Sequence, residues 1–175
     1  MKYSNAPITI LLSRQIAVST EKVWEIISQP SHLSYCHPFC QKNPVEKWPG
    51  VGSKDTIYFY SGEVATRDFK KWIPGIGYDL ELTLQNTGIQ VHVEFRISSF
   101  FKSPEKSLLQ ILLELINISS TSESFHSRYS YSLIRYSLNN YLDSVLKGYE
   151  HYITTKQATK RNQFGSHPIF SPTID

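Results

Sequence analysis

The stretch that decides the fold runs from Tyr78 to Ser98, "YDLELTLQNTGIQVHVEFRIS". Tyr78, Leu80, Leu82 and Leu84 fall on one side of an extended chain, with Asp79, Glu81 and Thr83 on the other. After the turn "NTG", Ile89, Val91, Val93, Phe95 and Ile97 alternate with Gln90, His92, Glu94 and Arg96. Alternation with a period of two on both sides of a short turn predicts an antiparallel hairpin with one buried and one wet face. His92, Glu94 and Arg96 belong to the wet face.

The same pattern extends upstream. "EVATRDFKKWI", closed by "PGIG", and "KDTIYFYSG", rich in aromatic and β-branched residues, read as two further strands. "VEKW" before "PGVGS" reads as a short one, and Ile8 to Val18 as the first. Between these lies "STEKVWEIIS", a helix that opens at Ser19 as N-cap and presents Val23, Trp24, Ile26 and Ile27 on one face. Pro30 ends it. A short turn of helix follows from Ser31 to Tyr35, and Pro38 disfavours helical geometry at His37. Downstream, Ser107 to Ile118 carries both periods; the strands before it favour a strand. From roughly Ser127 to Thr155 the period becomes helical, with Leu138, Tyr141, Leu142, Val145, Leu146, Tyr149 and Tyr152 at three- and four-residue steps. About 25 residues at 1.5 Å each make a rod of roughly 38 Å.

These elements predict an α+β domain: a curved antiparallel sheet of about six to seven strands, two short helices after the first strand, and a long C-terminal helix against the sheet. A sheet of that many strands twists and curls. A straight helix cannot lie flush along it, so side chains fill the gap or a cavity remains. Leu80, Leu82, Val91, Val93 and Phe95 face the helix; Leu138, Tyr141, Leu142 and Val145 face the sheet. The alternation does not tell which face of the two preceding strands is inward. Tyr58 and Tyr60 share one face, Ile57 and Phe59 the other; Ala65, Arg67 and Phe69 share a face. An inward Arg67 needs a carboxylate or an anionic ligand, since an unpaired buried charge is costly; the favoured reading leaves it solvated.

The chain has 175 residues and a formal net charge of +3, which suits one domain and gives no basis for nucleic-acid binding. No run approaches the roughly 18 apolar residues that span a bilayer, so no stable membrane insertion is expected. The N-terminal apolar run Ile8 to Leu12 is too brief for a secretory segment. The two cysteines fit reduced thiols, and the expectation is a cytoplasmic protein. "SHLSYCHPFC", Ser31 to Cys40, gathers His32, Cys36, His37 and Cys40. A structural zinc site draws its four ligands more often from two separated pairs, and here Pro38 interrupts the one segment. No metal and no cofactor are expected; a disulfide or a Cys–His nucleophile finds no support either.

The residues "AVSTEKVWEIISQPSHLSYCHPFC" and "LNNYLDSVLKGYEHYITT" resemble the first helices and the closing helix of the START-like, or Bet v 1-like, helix-grip superfamily (SRPBCC), in particular its polyketide cyclase/dehydrase and lipid-transport branch. The order of elements matches over nearly the whole chain. The resemblance implies one ligand-binding domain over residues 1–155, followed by a tail, 156–175, that is either loose or docks Phe164 and Phe170. It implies a hydrophobic or amphipathic small molecule between sheet and closing helix, with His37, Phe39 and Cys40 at the cavity rim. The candidate ligand-binding set is thus His37, Phe39, Tyr58, Tyr60, Arg67 and Phe69 together with the nine apolar and tyrosine positions above. Entry would displace the His37 to Cys40 turn or the "PGIG" loop. The family supplies no universal catalytic residue. An enzyme of the cyclase or dehydratase kind, using a cavity His or Tyr as acid/base, is the alternative. A third reading has the tail segment "NQFGSHPIF" bridging subunits, the state being monomer or homodimer.

Overall fold

The computed structural model describes residues 8–100, 102–117 and 131–173. Its strands are β1 (Thr9–Ile16), β2 (Cys40–Lys42), β3 (Val45–Lys47), β4 (Lys54–Phe59), β5 (Val64–Ile73), β6 (Gly77–Leu84), β7 (Gln90–Phe100) and β8 (Ser103–Asn117). Two short helices, α1 (Thr20–Ile27) and α2 (Leu33–Cys36), follow β1, and the long helix α3 (Tyr131–Thr155) closes the fold. The sheet runs β1-β8-β7-β6-β5-β4-β2, with β3 also pairing β4, and every ladder is antiparallel. This is the curled sheet and closing helix that the alternation implied, with one three-residue strand, β2, beyond those expected. The expected start of the long helix, 127–130, lies outside the described residues, as does position 118 at the end of the expected strand.

The periods explain the elements. Val91, Val93, Phe95 and Ile97 are buried while Gln90, His92, Glu94 and Arg96 lie on the outer face. There Arg96 pairs with Asp79 and Glu94. Such partly exposed surface pairs contribute about 0–1 kcal/mol, so the inner apolar face carries the hairpin. β8 buries Leu109, Ile111, Leu113 and Leu115 on the inner face. Its outer face is apolar too, with Leu108, Leu112 and an exposed Ile116, which is why its sequence also reads as helical. Ser19 caps α1 through its backbone geometry, but its side chain makes no capping hydrogen bond. α2 stops at His37, whose backbone is extended (φ −101°, ψ 115°) ahead of Pro38.

Gly148 lies inside α3, where glycine ordinarily costs about 1 kcal/mol relative to alanine. Here the residue type has a packing reason: a Cβ at 148 would stand 2.0 Å from the Cys36 carbonyl oxygen. The missing side chain lets α3 press directly on the end of α2.

The tail folds back on the domain. The Thr159 N–H donates to the Tyr35 carbonyl (2.8 Å) and the Asn162 N–H to the Pro38 carbonyl (3.2 Å). The Ser61 N–H in the β4–β5 turn donates to the Phe170 carbonyl (3.1 Å). Phe170 is buried, its ring 4.6 Å from Phe59 and 4.8 Å from Tyr141. Phe164 is half-buried near His151. Of the two expectations for the tail, docking is the one realised, with Phe170 buried and Phe164 half-buried. No helix among the described residues is long and apolar enough to cross a membrane.

Candidate functional site

Between the inner face of the sheet and α3 lies a cavity with about 130 Å³ open to the centre of a water-sized sphere. Its walls are apolar. β6 and β7 supply Leu80, Leu82, Val91, Val93 and Phe95; α3 supplies Leu138, Tyr141, Leu142 and Val145. All nine positions read from the sequence as facing across the gap therefore line it. β8 adds Ile111, Leu113 and Leu115, and β4 adds Ile57 and Phe59. Glu63, Thr87 and the part-exposed Ile169 mark its solvent side, where two strand turns meet the tail.

Polar groups interrupt this apolar wall, the Tyr141 hydroxyl among them. His37 and Arg67 line the cavity, and so does Tyr149. Arg67 is the first correction. It is not solvated: it is buried on β5, directly across from Asp55 on β4 in the ladder. Its Nε donates to Asp55 Oδ1 at 2.7 Å and its Nη2 donates to Oδ2. Burial alone would raise the Asp55 pKa, but the charge and hydrogen bonds of Arg67 outweigh it and hold the carboxyl below its ordinary value. Burial likewise works against the guanidinium, and Asp55 outweighs it, holding the Arg67 pKa above its ordinary value. Arg67 thus has its carboxylate inside the protein, and the anionic ligand that an unpaired guanidinium would call for is not needed.

His37 is buried at 4% exposure, with its Nε2 2.9 Å from the Tyr141 hydroxyl. Burial, with a smaller push from the charge of Arg67, lowers its pKa to about 3. His32 lies just outside the cavity lining, its Nε2 3.0 Å from the Tyr149 hydroxyl, and the same two causes lower its pKa to about 3. Both rings are neutral at physiological pH. Burial raises the pKa of Tyr141 and Tyr149. It also pushes the Cys40 thiol up to about 12, so neither a thiolate nor a phenolate forms here. Cys36 and Cys40 are both free thiols. Among the described residues no group of three or more His, Cys, Asp or Glu could hold a metal ion.

Four other expected site residues are elsewhere. Tyr58 is 41% exposed on the outer face of β4, because Asp55, Ile57 and Phe59 take the inner one. Tyr60 lies just beyond the strand end, beneath the Arg161 guanidinium at 4.8 Å. Phe69 is fully buried among Trp48, Trp72 and Tyr78, in an aromatic cluster away from the lining. Phe39 is buried against Tyr141 and His167. With Phe39 and Cys40 buried and His37 in the wall, the His37 to Cys40 turn is no rim, and the "PGIG" loop contributes nothing to the lining. The tail residues Ile169 and Phe170 stand at the cavity instead. The sequence offered few cues for these. Tyr149 is the exception, being eight residues, about two helical turns, beyond Tyr141 on the same stripe.

No family model matches the chain, and no curated protein matches it. Solved structures do. A START superfamily protein from Mycobacterium smegmatis is similar at 13% identity, covering 87% of this chain and 100% of its own, with a TM-score of 0.65. Ara h 8.0201 is similar at 10% identity over 86% of this chain and 99% of its own, TM-score 0.64. DynU16, a protein of the dynemicin biosynthetic locus, is similar at 9% identity over 87% of this chain and 49% of its own, TM-score 0.60. This chain therefore spans about half of DynU16. Likeness at these identities is likeness of fold: the chain has the helix-grip fold of the START-like and Bet v 1-like proteins.

Proposed function

We propose that this chain binds a hydrophobic or amphipathic small molecule, of lipid-like or polyketide-like character, and acts by sequestering it. The observation that carries this is the apolar cavity between the inner sheet face and α3. Burial of apolar ligand surface contributes about 25 cal/mol per Å², and the few polar groups in the wall fix orientation. Residues 1–155 form the ligand-binding domain in this reading, and the tail from 156 onward completes its wall through Ile169 and Phe170. The setting is cytoplasmic, the state monomer or homodimer.

The enzyme alternative has a candidate in place but not in proton affinity. His37 lines the cavity, yet with a pKa near 3 it is a weak base at neutral pH, and Tyr141 is a weak acid. General acid–base groups work best with a pKa near the working pH. This favours holding over turning over.

Native mass spectrometry of freshly purified protein, followed by solvent extraction, tests the proposal. The expected result is a mass above that of the chain that falls to it on mild activation, with an extractable apolar compound. A chain that carries nothing, and whose melting temperature no lipid-like or polyketide-like compound raises, would count against it.

A further inference from the structure

Two histidines meet two tyrosines of α3, and the proton order in the two pairs is opposite. His32 Nδ1 lies 2.8 Å from the Gln29 carbonyl oxygen, which can only accept. Nδ1 therefore carries the ring proton, Nε2 holds a lone pair, and the Tyr149 hydroxyl donates to it at 3.0 Å. At His37 the backbone N–H of Phe39, which can only donate, lies 3.2 Å from Nδ1. The lone pair is then on Nδ1, and Nε2–H donates to the Tyr141 oxygen at 2.9 Å. Tyr149 uses its hydroxyl proton on His32, whereas Tyr141 does not use its proton on His37.

Among the described residues the Tyr141 hydroxyl has no hydrogen-bond partner besides His37. Both side chains line the cavity, whose walls are mostly apolar. A donor left there without an acceptor is costly, so a bound molecule that supplies one is favoured over one that does not. The other strong donor in the wall, Arg67, already directs Nε and Nη2 at Asp55.

We propose that the Tyr141 hydroxyl proton, oriented by His37, selects small neutral apolar ligands that carry an acceptor oxygen, as ketones, aldehydes and esters do. This rests on the cavity being the ligand site, and it adds which molecules enter it. Lipids or polyketide fragments fit only through that shared chemistry.

The test is a matched pair of probes with the same outline: acetophenone, and α-methylstyrene, in which CH2 replaces the oxygen. Benzoate serves as the anionic counterpart. Affinities are measured by protein-observed NMR titration for wild type, Tyr141→Phe and Tyr149→Phe. The expected result is that Tyr141→Phe weakens acetophenone about tenfold and leaves α-methylstyrene within about twofold. Tyr149→Phe, whatever it does to affinity as a whole, keeps the ratio between the two probes at its wild-type value. Equal weakening of both probes by Tyr141→Phe, no weakening, or tighter binding of benzoate than acetophenone would overturn the proposal while leaving the cavity as a binding site. Saturable binding of none of the probes by wild type would remove the cavity reading and this one with it. Imidazole nitrogen-15 shifts on the unsubstituted protein give an independent reading. His37 is expected protonated at Nε2 and His32 at Nδ1; His37 protonated at Nδ1 would also overturn the proposal.

Discussion

Replacement of Asp55 by alanine will lower the unfolding free energy by about 3–5 kcal/mol, the range for removing one member of a buried ion pair. Both partners are almost completely enclosed, at 3% and 0% side-chain exposure for Arg67 and Asp55. The alanine leaves a guanidinium in an apolar wall with no carboxylate. The pair as a whole is worth far less, because its attraction only offsets the cost of taking two charges out of water. Arg67→Met together with Asp55→Ala should therefore recover most of the loss. Urea denaturation at neutral pH decides between these outcomes. A second consequence concerns ligands. Benzoate should stabilise Asp55→Ala and not the wild type, since only the variant has an unpaired cation at the cavity. Equal stability of wild type and Asp55→Ala would mean that Arg67 finds water or another partner, and that the wall is less closed than described.

Acid will unfold this protein well above the range in which its carboxylates titrate. His32 and His37 each have a pKa near 3 in the folded chain against about 6.5 unfolded. Between those values the unfolded chain binds more protons, so stability rises with pH. The contribution is fully present above about pH 6.5 and is lost as pH falls toward 3. Two protons give a limiting slope of about 2.7 kcal/mol per pH unit. His167, buried against Ser137, is shifted down for the same reason and adds in the same direction. Asp55 acts only lower: its depressed pKa contributes stability that is present above about pH 3.9 and fades below it. Denaturant midpoints measured from pH 7.5 to 5 at fixed ionic strength should fall steeply, and His37→Gln should remove close to half of the slope. A flat profile over that interval would show the two rings to be solvated.

What the sequence disclosed follows from periodicity. β6 and β7 alternate without interruption, which places Leu80, Leu82, Val91, Val93 and Phe95 on the inner face from the residue order alone. Tyr141, Leu142 and Val145 follow from the helical stripe. β8 is ambiguous for a physical reason: it lies between β1 and β7 and has apolar residues on both faces, so leucines four apart mimic a helix. The inner face of β4 and β5 is harder, because charge is a misleading guide. Asp55 has the same parity as Ile57 and Phe59, and the hairpin register sets it opposite Arg67. Only as a cross-strand pair do these two residues point to an inward arginine. The histidine–tyrosine pairs are beyond reach, since they join residues 104 and 117 positions apart. No local pattern encodes such a meeting; it depends on how α3 sits over α2. The place of the tail is equally hidden, because its bonded segments reach back to Tyr35, Pro38 and Ser61.

The central physical claim is that a straight helix over a curled sheet leaves usable apolar space. Val145, on α3 facing that space, gives the most direct test. In a filled core, Val145→Phe would force side chains apart and cost about 1–3 kcal/mol. Melting temperature and α-methylstyrene titration are to be measured together on wild type and Val145→Phe. The expected result is a variant that melts no lower than wild type and no longer binds the hydrocarbon that wild type binds saturably. A variant that melts well below wild type, from a wild type that binds nothing, would contradict the claim.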